Sequence, residues 1–454
     1  MEQEYKKILE ILRKHDIPGS EKDFKIKANN LLSNLYLKED TGKFSEYFLK
    51  IINLANKNYG TRSTLNLIYN LEVRNDLRKP KLAIYDHAFH FIGGAQKYGL
   101  TLAKALEDKF EITIISNKNV TLKNFREWYG IDFTSAKIEI IPLPWFEQNG
   151  SFHIEPHRVT KRIKNPFHRI SRESGKFDIF INNGMLEMVY PLSPVSIMVC
   201  HFPERRPESY FYSDLYTYTI YNSEYTGHWI EKRWKYKPHK HIYPPVDMEI
   251  YKNGKKKNII LSVARFEEGG TKKQFEMAKT FLKLKEINPE TSKGWKLILA
   301  GGSPENNPYL EKIRELVKED GSNSIEIKVN ISGEKLKNLY KESKIFWHLC
   351  GLGQSDPAKV EHFGMTIRES MQNNIVPIVF NGGGQREIVK NGISGFRVNS
   401  LSGLIKFTLK IMNDETLREK LGKGARLKSR EFNRKRFDKE VKEFFKKILT
   451  EFSN

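Results

Sequence analysis

Two short and almost wholly apolar runs, Ile345-Phe-Trp-His-Leu-Cys350 and Ile375-Val-Pro-Ile-Val-Phe380, bracket a glycine-bearing loop and a stretch with helical spacing. Runs of this length without polar alternation belong to strands buried on both faces, and strand, loop, helix, strand is the repeating unit of a parallel sheet. Gly351 and Gly353 mark where the first strand leaves the sheet at its carboxyl end. Thr366-Ile-Arg-Glu369 fits a capping box, which places the N-cap at Thr366 and predicts a helix to about Asn374.

The same alternation runs through most of the chain. Lys81–Tyr85 predicts a buried strand, followed by Gly93-Gly-Ala-Gln96, a helix from about Ala95 to Glu107 and a strand at Glu111–Ser116. Further strands are predicted at 137–142, 177–182, 194–200, 258–265, 296–300 and 324–329. This order predicts an α/β protein of two doubly wound, Rossmann-like units with a cleft between them. Pro244, Pro245 and the polar run Asn253–Lys257 put the boundary near 248–257, giving domains over 81–247 and 248–434. Residues 1–80 read as a helical N-terminal extension, and 435–454 as an amphipathic C-terminal helix.

The helix after the Gly351–Gly364 loop presents free amides and a positive dipole end, which favour an anion such as phosphate. Glu361 precedes that helix and Glu369 lies in its first turn. A carboxylate on each side of an anion site suits a ligand with hydroxylated rings at both ends of a diphosphate, which describes a nucleotide sugar. The structural alternative makes Glu369 the capping partner of Thr366 and Glu361 a solvated charge. Gly93 and Gly94, at a strand-to-helix turn, either let the backbone approach a phosphate or form a tight turn. Arg265 at a strand end and Lys272 or Lys273 at the next helix start can clamp a diphosphate, with plain surface charge as the alternative. His201 ends a parallel strand, where ligands bind in open α/β sheets, although a lone histidine is more often structural.

These residues resemble retaining glycosyltransferases of family 4. Glu361 and Glu369 match that family's paired-glutamate (EX7E) motif, and Asn381–Val389 with Gly392–Phe396 looks like its next segment. Thr219–Thr226 and His241–Asp247 resemble the end of the family's first domain, Gly93-Gly94 its glycine-rich loop, and His201 its cleft histidine. The resemblance covers about residues 81 to 450 and implies the GT-B fold, with the last helix returning to the first domain. It implies metal-independent transfer, with retention, of a sugar from a UDP- or GDP-linked donor to a glycan, lipid-linked or protein acceptor. Glu369 would bind ribose hydroxyls and Glu361 sugar hydroxyls, while the amides of Phe363, Gly364, Met365 and Thr366 would hold the sugar and diphosphate. Arg265 and Lys272 would neutralise the diphosphate, and His201 would stand at the reacting face. No Asp-x-Asp occurs, so a metal held by that motif is not indicated; no metal and no cofactor besides the nucleotide-sugar co-substrate are expected. His362 and Gln96 depart from the family's usual Gly and Glu.

Composition bears on compartment and partners. Cys200 and Cys350, the two cysteines, sit in apolar runs, which predicts buried thiols and a reducing compartment. Met1–Lys14 is charged throughout and no apolar run approaches membrane-span length, so the reading is cytoplasmic, with a peripheral position on the inner face of the membrane as an option. The net charge of +22 attracts anionic partners, but no zinc spacing or nucleic-acid motif accompanies it and nucleic acid is not expected. Residues 158–172 interleave six basic residues with Ile163, Phe167 and Ile170, which suits an anionic membrane surface or else a solvated loop. A nucleotide-sugar epimerase or hydrolase, and a basic nucleic-acid- or membrane-binding protein, are the competing classes.

Overall fold

The computed structural model describes residues 79–143, 167–184, 189–203, 213–246 and 255–451. The expected N-terminal extension, but for its last two residues, and residues 158–166 of the basic segment lie outside them. The chain divides into two units, the first containing Met1–Tyr221, Trp229–Ile242 and Asp438–Asn454, the second Asn222–His228 and Tyr243–Phe437.

Among its described residues the first unit has seven parallel strands: β1 (Lys81–Tyr85), β2 (Glu111–Ser116), β3 (Lys137–Ile140), β4 (Ile179–Asn182), β5 (Val195–Cys200), β6 (Tyr218–Tyr221) and β7 (Lys240–His241). Their spatial order is β3-β2-β1-β4-β5-β6-β7, so the winding reverses between β1 and β4. Helices α1 (Gly94–Leu106), α2 (Leu122–Tyr129), α3 (His168–Ser174) and α4 (Glu224–Trp234) accompany these strands, α4 starting in the second unit. β5 is buried at every position, Ser196 included, as its almost wholly apolar run implies.

The second unit repeats the plan with six parallel strands: β8 (Ile259–Val263), β9 (Lys296–Gly301), β10 (Ile325–Val329), β11 (Ile345–His348), β12 (Val376–Phe380) and β13 (Phe396–Val398). The order is β10-β9-β8-β11-β12-β13, reversing between β8 and β11. Its longer helices are α5 (Gln274–Ile287), α6 (Pro308–Asp320), α7 (Gly333–Glu342), α8 (Met365–Gln372), α9 (Leu401–Asn413), α10 (Glu415–Ser429) and the start of α11 (Arg434–Glu451). Two apolar layers cover the sheet. Phe281, Trp347 and Leu404 lie in one, and Phe346, Ile367 and Val379 in the other.

Both sheets are therefore Rossmann-like, as the strand–helix alternation predicts. β6, β7 and β13 were not predicted as strands, being two to four residues long without an unbroken apolar run. The last helix contributes Phe445 against Phe110 and Phe444 against Tyr218 within the first unit. The membrane reading of 158–172 is corrected in its described part: Phe167 and Ile170 are fully buried in the first unit's core, so they form no exposed apolar face. Both cysteines are buried free thiols. Among the described residues no helix is long and apolar enough to cross a membrane.

Candidate active site

Open parallel sheets bind ligands beyond the carboxyl ends of the strands where the winding reverses. In the second unit that place lies beyond β8 and β11, and of the singled-out charged residues Lys272 and Glu361 meet there, together with His348. Lys272 ends the loop after β8 and extends its ammonium to Glu361 Oε2 at 3.0 Å and to Cys350 Sγ at 3.6 Å. His348, the last residue of β11, places Nε2 3.0 Å from the same Glu361 oxygen. Burial would raise the Glu361 pKa, but the Lys272 charge and the His348 contact outweigh it and hold the carboxyl well below the usual range. Burial likewise opposes the charge on Lys272, and Glu361 more than restores it, raising that pKa. Cys350 is pushed up to about 12 by burial and stays a thiol. Glu361 is thus an anchored anion whose Oε1 receives no hydrogen bond among the described residues.

The loop carrying Glu361 is braced by glycine contacts. Gly384 donates its N–H to Glu361 O at 2.9 Å, and a Cβ on Gly384 would lie 2.1 Å from His362 O. Gln385, fully buried, donates to Cys350 O at 2.8 Å and ties this segment to the end of β11. His362 joins the brace through a 3.1 Å contact with Ala358 O.

The capping-box reading is corrected. α8 begins at Met365 with Gly364 as N-cap and no side-chain cap, and Thr366 is its second residue. Gly364 has φ 108°, a conformation that excludes an ordinary side chain and frees Glu369 from a capping role. Glu369 instead accepts the buried Tyr340 hydroxyl at 2.9 Å through Oε2. Phe363 is buried against Tyr243 and Phe432, so its backbone alone is available at the helix start. Arg368 is also fully buried, donating to Phe432 O at 3.0 Å and Ser429 O at 2.6 Å, which fixes α8 against the end of α10.

Arg265 follows β8 but is 72% exposed and paired with Glu267 at 3.1 Å rather than joined to the Lys272–Glu361 pair. Lys273 turns away to Glu276 at 3.3 Å, which leaves Lys272 as the lysine at the strand ends. Sequence reasoning passed over His348 and Cys350 because both lie in an apolar run read as core. The available signal was polar chemistry in the last positions of a buried strand.

In the first unit the reversal point lies beyond β1 and β4. Asp86, fully buried, accepts N–H groups from Asn183 Nδ2 at 2.6 Å, Gln96 Nε2 at 3.1 Å and Ala88 N at 2.8 Å. The amide at position 96 therefore donates where a carboxylate would face Asp86. His201, beyond β5, stands edge-on to Tyr98, and burial lowers its pKa to about 4, with the Asp86 charge opposing. It is a neutral imidazole at pH 7. The Gly93 amide donates to the Tyr129 hydroxyl at 2.9 Å, and Gly94 is exposed as the first residue of α1.

Residues 245–428 match the family model Glycosyl transferases group 1, and the second unit carries a domain of that class. The two Rossmann-like units form the GT-B fold, shared with solved structures that include Anabaena HepE in complex with UDP and glucose. That likeness has a TM-score of 0.63 at 14% identity, covering 81% of this chain and 100% of that one. The chain is 26% identical over 246 residues to a Dictyostelium discoideum GDP-Man:Man(3)GlcNAc(2)-PP-Dol alpha-1,2-mannosyltransferase, covering 51% of this chain and 47% of the relative. A Mus musculus protein of the same description is 27% identical over 248 residues, with 50% and 48% covered. The chain thus spans about half the length of these curated relatives.

Proposed function

We propose that this protein transfers a hexose from a nucleotide sugar to a lipid-linked glycan, with retention of anomeric configuration and without a metal, and that GDP-mannose is its first donor candidate. The observation that carries the reading is the Lys272–Glu361–His348 cluster at the reversal of the second sheet, inside the matched domain. Glu361, held ionised, accepts hydroxyls of the donor sugar. Glu369, oriented by Tyr340, accepts the ribose hydroxyls. Backbone amides at the start of α8 and the charges of Lys272 and Arg265 stabilise the diphosphate as the bond to the sugar breaks.

In this reading the acceptor oxygen attacks from the face the diphosphate leaves, and a departing phosphate oxygen takes the acceptor proton. GDP-mannose and a lipid-linked acceptor come from the curated relatives' descriptions, and UDP-glucose is the competing donor because HepE was solved with UDP and glucose. An enzyme with a lipid-linked acceptor works at a membrane face, which is the location we propose. The test is incubation with GDP-mannose or UDP-glucose, with and without a lipid-linked oligosaccharide, followed by NMR of the product's anomeric centre. An acceptor-dependent α-linked product is expected. A β-linked product would overturn retention, and sugar release independent of acceptor would reassign the protein as a hydrolase.

A further inference from the structure

The reading above gives the buried histidine beside Glu361 no contact with substrate of its own. His348 is 2% exposed, lies at the carboxyl end of β11 and hydrogen-bonds through Nε2 to Glu361 Oε2 at 3.0 Å. Its other nitrogen, Nδ1, is buried and has no partner among the described residues. A carboxylate only accepts, so the ring must donate through Nε2, and in a neutral imidazole the bare nitrogen is then Nδ1. An unpartnered buried nitrogen costs free energy, and the tautomer that leaves it bare is retained for the bond on the other side.

Lys272 donates to the same Glu361 oxygen. Two fixed donors on Oε2 restrain the carboxylate and leave Oε1 without a hydrogen bond among the described residues. An ammonium on a flexible stem neutralises charge without fixing a plane, whereas a packed imidazole fixes direction. We infer that His348 is a positioning residue, acting through Glu361 to set the plane in which that carboxylate meets the donor sugar, and so setting affinity for the sugar rather than for the nucleotide. This rests on the donor-site reading proposed above.

The test uses two amides of different reach. Glutamine carries its amide nitrogen about where histidine carries Nε2, and asparagine about where it carries Nδ1. His348→Gln is expected to keep kcat/KM for the nucleotide sugar within about threefold, while His348→Asn loses about ten- to a hundredfold, the scale of a lost charge-assisted hydrogen bond. Affinity for the sugar-free nucleoside diphosphate, measured with GDP and UDP, should be unchanged in both. Equal losses in the two variants, or a parallel loss of nucleoside diphosphate affinity, would show a packing role and overturn the inference. A donor-free measurement separates this from failure of the functional reading: in NMR of 15N-histidine-labelled wild-type protein, the His348 ring should carry its proton on Nε2. A bare Nε2 would overturn the inference whatever the enzyme binds.

Discussion

Lys272 and Lys273 are neighbours in the chain with different surroundings. Lys273 takes a left-handed backbone conformation, φ 63°, and its side chain reaches Glu276, while Lys272 projects to Glu361. Sequence spacing could not choose between them because the choice depends on the sign of one dihedral angle. Lys272→Met, which keeps the apolar stem, should lower the transfer rate at least about a hundredfold, as loss of a charge stabilising the transition state does. Lys273→Met should stay within about threefold, and initial rates of nucleotide release with acceptor present decide it. Glu361 and Glu369 were legible as a pair because their spacing straddles a helix start. Their partners were not, since Tyr340, His348 and Lys272 arrive from other elements.

At the level of elements, the short runs that form β1, β5, β8 and β11 were readable because burial on both faces favours sequence that is apolar nearly throughout. The start of α8 was misread because a capping box competes with a glycine in the left-handed region, and here Gly364 ends the preceding loop first. The neighbouring brace makes a sharper claim: Gly384→Ala places a methyl group 2.1 Å from a backbone oxygen, which no side-chain movement relieves. That variant should fold with a lower melting temperature and lose donor affinity, measurable by calorimetric titration, while Gly302→Ala, whose Cβ has only a side-chain atom within 4 Å, at 3.6 Å, should leave affinity unchanged.

Glu107, at the end of α1, gives a pH-dependent case. Its carboxylate accepts the N–H groups of Thr134 and Ser135, both at 2.7 Å, and pairs with Lys104 at 2.6 Å. Burial opposes ionisation, yet these partners prevail and lower the pKa to about 2. A folded-state pKa below the unfolded one adds stability above the unfolded value, near 4.5, that is lost as pH falls through about 2. The difference corresponds to about 3 kcal/mol at pH 7. Glu107→Gln should therefore be destabilised at pH 7, with the gap to wild type narrowing in denaturant melts as pH drops from 4.5 toward 2.

Across the whole molecule, two Rossmann-like units follow from the repeated alternation of strands and helices, and the matched glycosyltransferase domain lies in the second. The donor base and the acceptor were not legible, because hydrogen bonds to a base edge or a glycan depend on loop geometry rather than on strand pattern. The most direct measurement is calorimetric titration of the wild-type protein and Glu361→Gln with GDP, UDP, ADP and their common sugar conjugates. One base should bind, its sugar conjugate should bind about tenfold more tightly, equal to about 1.4 kcal/mol, and Glu361→Gln should lose only that increment. No binding of any nucleotide sugar to folded protein, or an undiminished increment in Glu361→Gln, would contradict the assignment of this cluster as the donor site.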